Sequence, residues 1–105
     1  MKSIIKTCAV LSVFFIGNLS AQAEDDTCEK IHSLATQIME VRQLGVAMPE
    51  VMSAVMKDLQ TEQTKKTVRS IIIDAYDRPQ YSGYEYQKNE AKRFANEWAV
   101  KCYKQ

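Results

Sequence analysis

Between residues 26 and 44 the apolar positions Ile31, Leu34, Ala35, Ile38 and Val41 recur at steps of three and four, while Glu29, Ser33, Thr36, Gln37, Glu40 and Gln43 fill the positions between. That period lays one apolar stripe along an α-helix and predicts a first helix over 26–44, with its polar face in water. Asp26 followed by Glu29 offers a capping box at its start. Gly45 falls just past the last periodic residue, where a left-handed cap suits a residue without Cβ, and Pro49 with Glu50 suits the opening turn of a second helix. Gly45 to Pro49 thus reads as a corner between helices, the alternative being a loop that contacts a ligand.

The second helix is predicted from Pro49 to about Gln60, with Val51, Met52, Val55, Met56 and Leu59 inward. Met39, Met48, Met52 and Met56 admit two readings, since flexible thioethers both fill gaps in cores and build adaptable binding surfaces. Thr61 to Thr67 is polar without a strong breaker, and serves either as a loop or as the start of a third helix capped by Thr61 or Thr64. Val68, Ile71, Ile72, Ala75 and Tyr76 then keep helical steps. The run Ser70 to Asp74 alone would suit a buried strand equally well, but no partner strand exists in the pattern, which decides for helix.

Pro79 disfavours helical backbone at Arg78 and breaks the chain there. Ser82 followed by Glu85 offers another capping box. A last helix carries Tyr84, Ala91, Phe94, Ala95, Trp98 and Cys102 on one face, opposite Lys88, Asn89, Lys92, Arg93, Asn96 and Glu97. Four helices with short connections predict an all-α fold, a small four-helix, antiparallel-type bundle.

The first 23 residues do not belong to that pattern. Lys2 and Lys6 precede an apolar run over residues 7–16, and Ala21-Gln22-Ala23 follows. A positive start, a short apolar middle and an A-x-A end predict a signal peptide cleaved near Ala23, leaving a single helical domain over 24–105 without a stable membrane anchor. An uncleaved anchor would want roughly 20 apolar residues. The residues before Cys28 are not the small apolar ones that lipoprotein processing requires.

Export makes the cysteines informative. Cys8 leaves with the leader, so Cys28 and Cys102 are the one intramolecular pair, and a periplasmic or secreted chain meets oxidising conditions. An even number of alternating helices brings the start of the first and the end of the last to the same end of the bundle, where these two cysteines stand. A reactive thiol or an intermolecular bridge is the competing reading.

Loss of Lys2 and Lys6 takes the formal charge from +1 to −1, which argues against a nucleic-acid partner, whose binders carry a concentrated positive field. Lys65, Lys66 and Arg69 read as a solvated face. One histidine, His32, and no Cys-x-x-Cys leave too few ligands for a zinc site, and no carboxylate-rich loop suits calcium. No phosphate loop or dinucleotide fingerprint is present, so no metal or cofactor is expected. Ser33 cannot pair with its helix neighbour His32. Asp74 and Asp77 are the nearest pair of carboxylates, with ion pairing to Arg69 or Arg78 as the ordinary account, and no catalytic residue is assigned.

The segment Asp74 to Gln87 is less ordinary. Tyr76, Tyr81, Tyr84 and Tyr86 gather with Arg78 around a proline and a glycine, and tyrosine and arginine are enriched where proteins grip one another. Arg78, Tyr81, Tyr84 and Tyr86 are the candidate protein-binding residues. The alternative places Tyr76 and Tyr84 in the core, with the others shielding the helix junction.

The stretches Cys28 to Met48, Ile71 to Ser82 and Phe94 to Cys102 resemble a group of short exported proteins of gammaproteobacteria and their prophages. The resemblance spans the chain after the leader, implies a Gram-negative periplasm, and carries no activity or residue roles. At a coarser level the design is similar to periplasmic acid-stress chaperones and to phage-encoded lysozyme inhibitors, without matching the motifs of either. The expectation is a non-enzymatic periplasmic protein that binds or inhibits another protein, such as a cell-wall hydrolase or phage component. An acid-responsive chaperone is the alternative.

Overall fold

A computed structural model of the chain describes residues 26–105, and the predicted leader with its cleavage site lies outside the described residues. The described chain forms four helices and is 79% helical, without a strand. Helix α1 covers 26–43, α2 Met48–Met56, α3 Glu62–Tyr76 and α4 Tyr84–Lys104.

The helices alternate in direction. At one end Ile31 and Leu34 of α1 lie beside Leu59 and the first turns of α3. At the other, Arg42 of α1 reaches the backbone that follows α3. α1 and α3 therefore run the same way, and α2 and α4 return. A disulfide between Cys28 and Cys102 closes the bundle, joining the beginning of α1 to the last turn of α4.

The predicted apolar stripes meet in one core: Ala35, Ile38 and Met39 from α1, Val51 from α2, Ile71, Ile72 and Ala75 from α3, and Phe94 between Ala91 and Ala95 from α4. Small residues on either side of Phe94 let its ring fill the space between helices, the alternation of large and small that close packing needs. Met39 is fully buried, while Met52 and Met56 pack at the core margin and Met48 is exposed. The methionines are thus mostly core filler.

The corner after α1 follows from Gly45, whose φ of +87° lies in the left-handed region. Gly45 N–H donates to Arg42 O and Val46 N–H to Val41 O, the paired bonds of a Schellman cap. Pro49 then stands in the first turn of α2. Thr61 caps α3, its hydroxyl accepting from Thr64 N–H at 3.1 Å, so the polar stretch after it is helical.

Five local expectations need correction. α2 ends at Met56 rather than near Gln60. Asp58 would put negative charge at the helix carboxyl end, and Thr61 needs extended backbone to cap α3. The Ser82–Glu85 box does not form, since Gly83 is the N-cap, one residue later. Nor does Asp26 cap α1: it is already helical and pairs with Lys30 at 3.2 Å.

Tyr84, placed on the inward face by its spacing, is 72% exposed. Beside it, just past the end of α1, lies Leu44, which is itself exposed. Gln43, read as part of the water-facing side of α1, is 3% exposed. It lies four residues beyond Met39 and eight beyond Ala35, so the buried stripe runs one turn further than its apolar residues.

Candidate functional site

Buried Gln43 organises the loop that carries the tyrosines. Its amide nitrogen donates to Pro79 O at 2.9 Å, and its amide oxygen accepts from Tyr81 N–H at 2.7 Å. The backbone of the same residue is used as well, because Gln80 Nε2 donates to Gln43 O at 3.2 Å. Gln87, in the first turn of α4, donates to Tyr81 O at 2.6 Å. One carboxamide thereby satisfies a donor and an acceptor of a loop that has no regular partner of its own, which fixes the loop against α1.

Arg42 completes the clasp. Its guanidinium donates twice to Arg78 O, at 2.9 and 3.3 Å, and lies 5.2 Å from the centre of the Tyr76 ring. The Tyr76 hydroxyl donates to Val46 O at 2.6 Å, tying α3 to the α1–α2 corner. Burial pushes that hydroxyl above its ordinary pKa, against the pull of Arg42.

Arg78 turns into the bundle. Its guanidinium meets Glu97 at 2.6 Å, Asp74 at 3.3 Å and buried Glu90 at 3.8 Å, and stacks 4.7 Å from the Phe94 ring centre. Glu90 also binds Arg93. Trp98 Nε1–H donates to Asp74 at 2.9 Å. The hydrogen bond from Arg78 holds the Glu97 carboxyl below its ordinary pKa, and the same bond holds the guanidinium protonated.

Of the four candidate binding residues, Tyr84 and Tyr86 face solvent, with 72% and 69% exposure. Tyr81 is half-buried, its ring centre 6.3 Å from that of Tyr86. Arg78 is brought to the loop, but its guanidinium turns inward onto Asp74, Glu90, Glu97 and Phe94 rather than facing solvent. The sequence reading missed Leu44, which is 76% exposed and shares a shallow cavity of about 280 Å³ with Tyr84, Glu40 and Lys88. An apolar residue at a helix cap, directly before the glycine, was the available signal.

The remaining candidates separate. His32 pairs with Asn96 across α1 and α4 at 3.1 Å. Asp74 is engaged by Arg78 and Trp98, whereas Asp77 is the exposed C-cap of α3, so the two do not form an acid–base pair. Among the described residues no group of three or more His, Cys, Asp or Glu side chains could hold a metal ion, and no helix is long and apolar enough to cross a membrane.

Replacing Gln43 with leucine is expected to keep the volume and lose the clasp. Stability should fall by about 2 kcal/mol, the cost of leaving loop amides and carbonyls unpaired. Hydrogen exchange at the Tyr81 amide should accelerate well beyond that of the core of α3. Uniform acceleration throughout the bundle would contradict a local clasp.

No family model, curated protein or solved structure matches the chain.

Proposed function

We propose that this chain is an exported, non-enzymatic binding protein that grips another protein through the end of the bundle bearing Leu44, Tyr84 and Tyr86. The observation that carries the reading is the pairing of exposure with rigidity. Leu44 and Tyr84 stand side by side in solvent, yet the backbone under them is held by Gln43, Arg42 and Gln87. A backbone already held loses little freedom on binding, and tyrosine supplies large contact area with a polar tip.

The disulfide supports an oxidising compartment such as the periplasm. A cell-wall hydrolase or a phage component is the partner class that fits this location. The acid-responsive chaperone remains a second reading, favoured by the carboxylates gathered on Arg78.

The test places a photo-activatable phenylalanine analogue at Tyr84 and, as a control, at exposed Gln37 on the flank of α1, in cells that export the protein. A discrete adduct at position 84, absent at 37 and abolished by Leu44→Asp, is expected. Equal labelling at both positions, or labelling at 84 that survives Leu44→Asp, would overturn the assignment.

A further inference from the structure

Between α1 and α3, beyond the point where α2 stops, lies a cavity of about 370 Å³ whose apolar lining is Ile31, Leu34, Leu59, Val68 and Ile71. We propose that this seam binds the alkyl chain of a single-chain zwitterionic lipid. It shares no residue with the cavity beside Leu44 and Tyr84, and does not rest on the protein-binding reading.

The order of residues along the seam selects an amphiphile. Because α1 and α3 run the same way, their two walls change character together. In the outer turns α1 contributes Thr27 and Lys30, and α3 contributes Gln63, Thr64 and Thr67. Further in, α1 turns to Ile31 and Leu34, and α3 to Val68 and Ile71. The polar end is thus the disulfide end, and the other reaches the core, where Val68 and Ile71 are buried. Among the described residues no buried side-chain nitrogen or oxygen lacks a hydrogen-bond partner. The inner half therefore offers a polar ligand nothing to satisfy, and hydrocarbon is what suits it. From Gln63 to Ile71 the wall is about 12 Å long, at about 1.5 Å per residue. That length and volume suit one chain lying along the seam, whereas a protein contact needs roughly 800 Å² on each side.

Charge at the mouth selects the head. Lys30 is the one charged side chain among the described residues of the lining, and its ammonium lies 3.2 Å from the Asp26 carboxylate. At the start of α3, Lys65 pairs with Glu62 in the same way. Opposite charges side by side complement a headgroup that carries both, with its phosphate toward Lys30 and its ammonium toward Asp26. A simple anion would compete with Asp26 for the same lysine.

Methyl-resolved nuclear magnetic resonance of the disulfide-bonded protein tests the site. Dodecylphosphocholine, added below its micelle concentration, should give saturable shifts at Ile31, Leu34, Leu59, Val68 and Ile71, with the methyls of exposed Leu44 and Val100 unmoved. Across shorter alkylphosphocholines the affinity should rise roughly fourfold per added methylene. Leu34→Gln on one wall, and separately Thr67→Glu on the other, should each weaken binding at least about tenfold, so the test does not hang on the folding of one variant. Leu44→Asp should leave binding unchanged, which separates this site from the protein-binding end. The proposal is overturned if the shifts extend to Leu44 and Val100, if phosphocholine without a chain reproduces them, or if dodecanoate binds as tightly. It is equally overturned if a folded wall variant binds as before, or if the same shifts follow protein concentration alone, which would make a second copy the occupant.

Discussion

Replacing Arg78 with alanine is expected to lower stability by about 3 kcal/mol, because breaking a partly buried charge network leaves carboxylates uncompensated. Glu90, 3% exposed, would keep only Arg93 on the solvent side, and Asp74 and Glu97 would lose their shared partner. For a domain of this size the loss corresponds to a fall of roughly 15 °C in melting temperature. Arg78→Lys should fall between the two, since one ammonium cannot engage three carboxylates and also lie flat on Phe94. A melting temperature for Arg78→Ala within a few degrees of the parent would show that Arg93 and water suffice.

The same experiment has a pH arm with a definite sign. Arg78 lowers the folded-state pKa of Glu97 from its ordinary value of 4.5. Such a carboxylate contributes stability above its unfolded-state pKa and loses that contribution as pH falls through the lower folded one. The gap between parent and Arg78→Ala should therefore be full at neutral pH and shrink below about pH 4. Denaturant midpoints across that range would read it. A gap that stays constant into acid would exclude Glu97 from the network's energetics, and would remove the main support for an acid-responsive chaperone.

Removing the disulfide should have an effect at least as large. The bond joins residues 74 apart in sequence, and the chain-entropy model assigns a loop of that length about 4 kcal/mol. A domain of this length has a total stability of about 4–12 kcal/mol. Cys28→Ser with Cys102→Ser should accordingly lower the melting temperature by about 20 °C, with the frayed first turns of α1 and last turns of α4 exchanging first. Native near-ultraviolet circular dichroism retained to the parent's melting temperature would refute this.

What could be read in the sequence followed the kind of residue involved. Ile38, Ile71, Ile72 and Phe94 sit in the core as periodicity requires, since an apolar side chain has one favourable environment. Gly45 announced its corner, because few residues accept its backbone conformation. Cys28 and Cys102 were legible from compartment and topology together. Gln43 and Glu90 were hidden for the opposite reason: a polar side chain is buried only when another part of the chain supplies its partners, and those partners are the Pro79–Tyr81 backbone and two arginines. Tyr84 misled because its spacing describes a helix face, while its exposure depends on where the neighbouring helix stops. Arg78 was singled out correctly as unusual, but composition says nothing of which way a guanidinium turns.

Because the cystine links the outer turns of the first and last helices, backbone and sulfur bridge together form a covalent ring from Cys28 to Cys102. A protease that nicks the exposed stretch between α2 and α3 would open that ring without shedding a fragment. The two pieces would stay tethered, and could re-dock, until a reductant parted them.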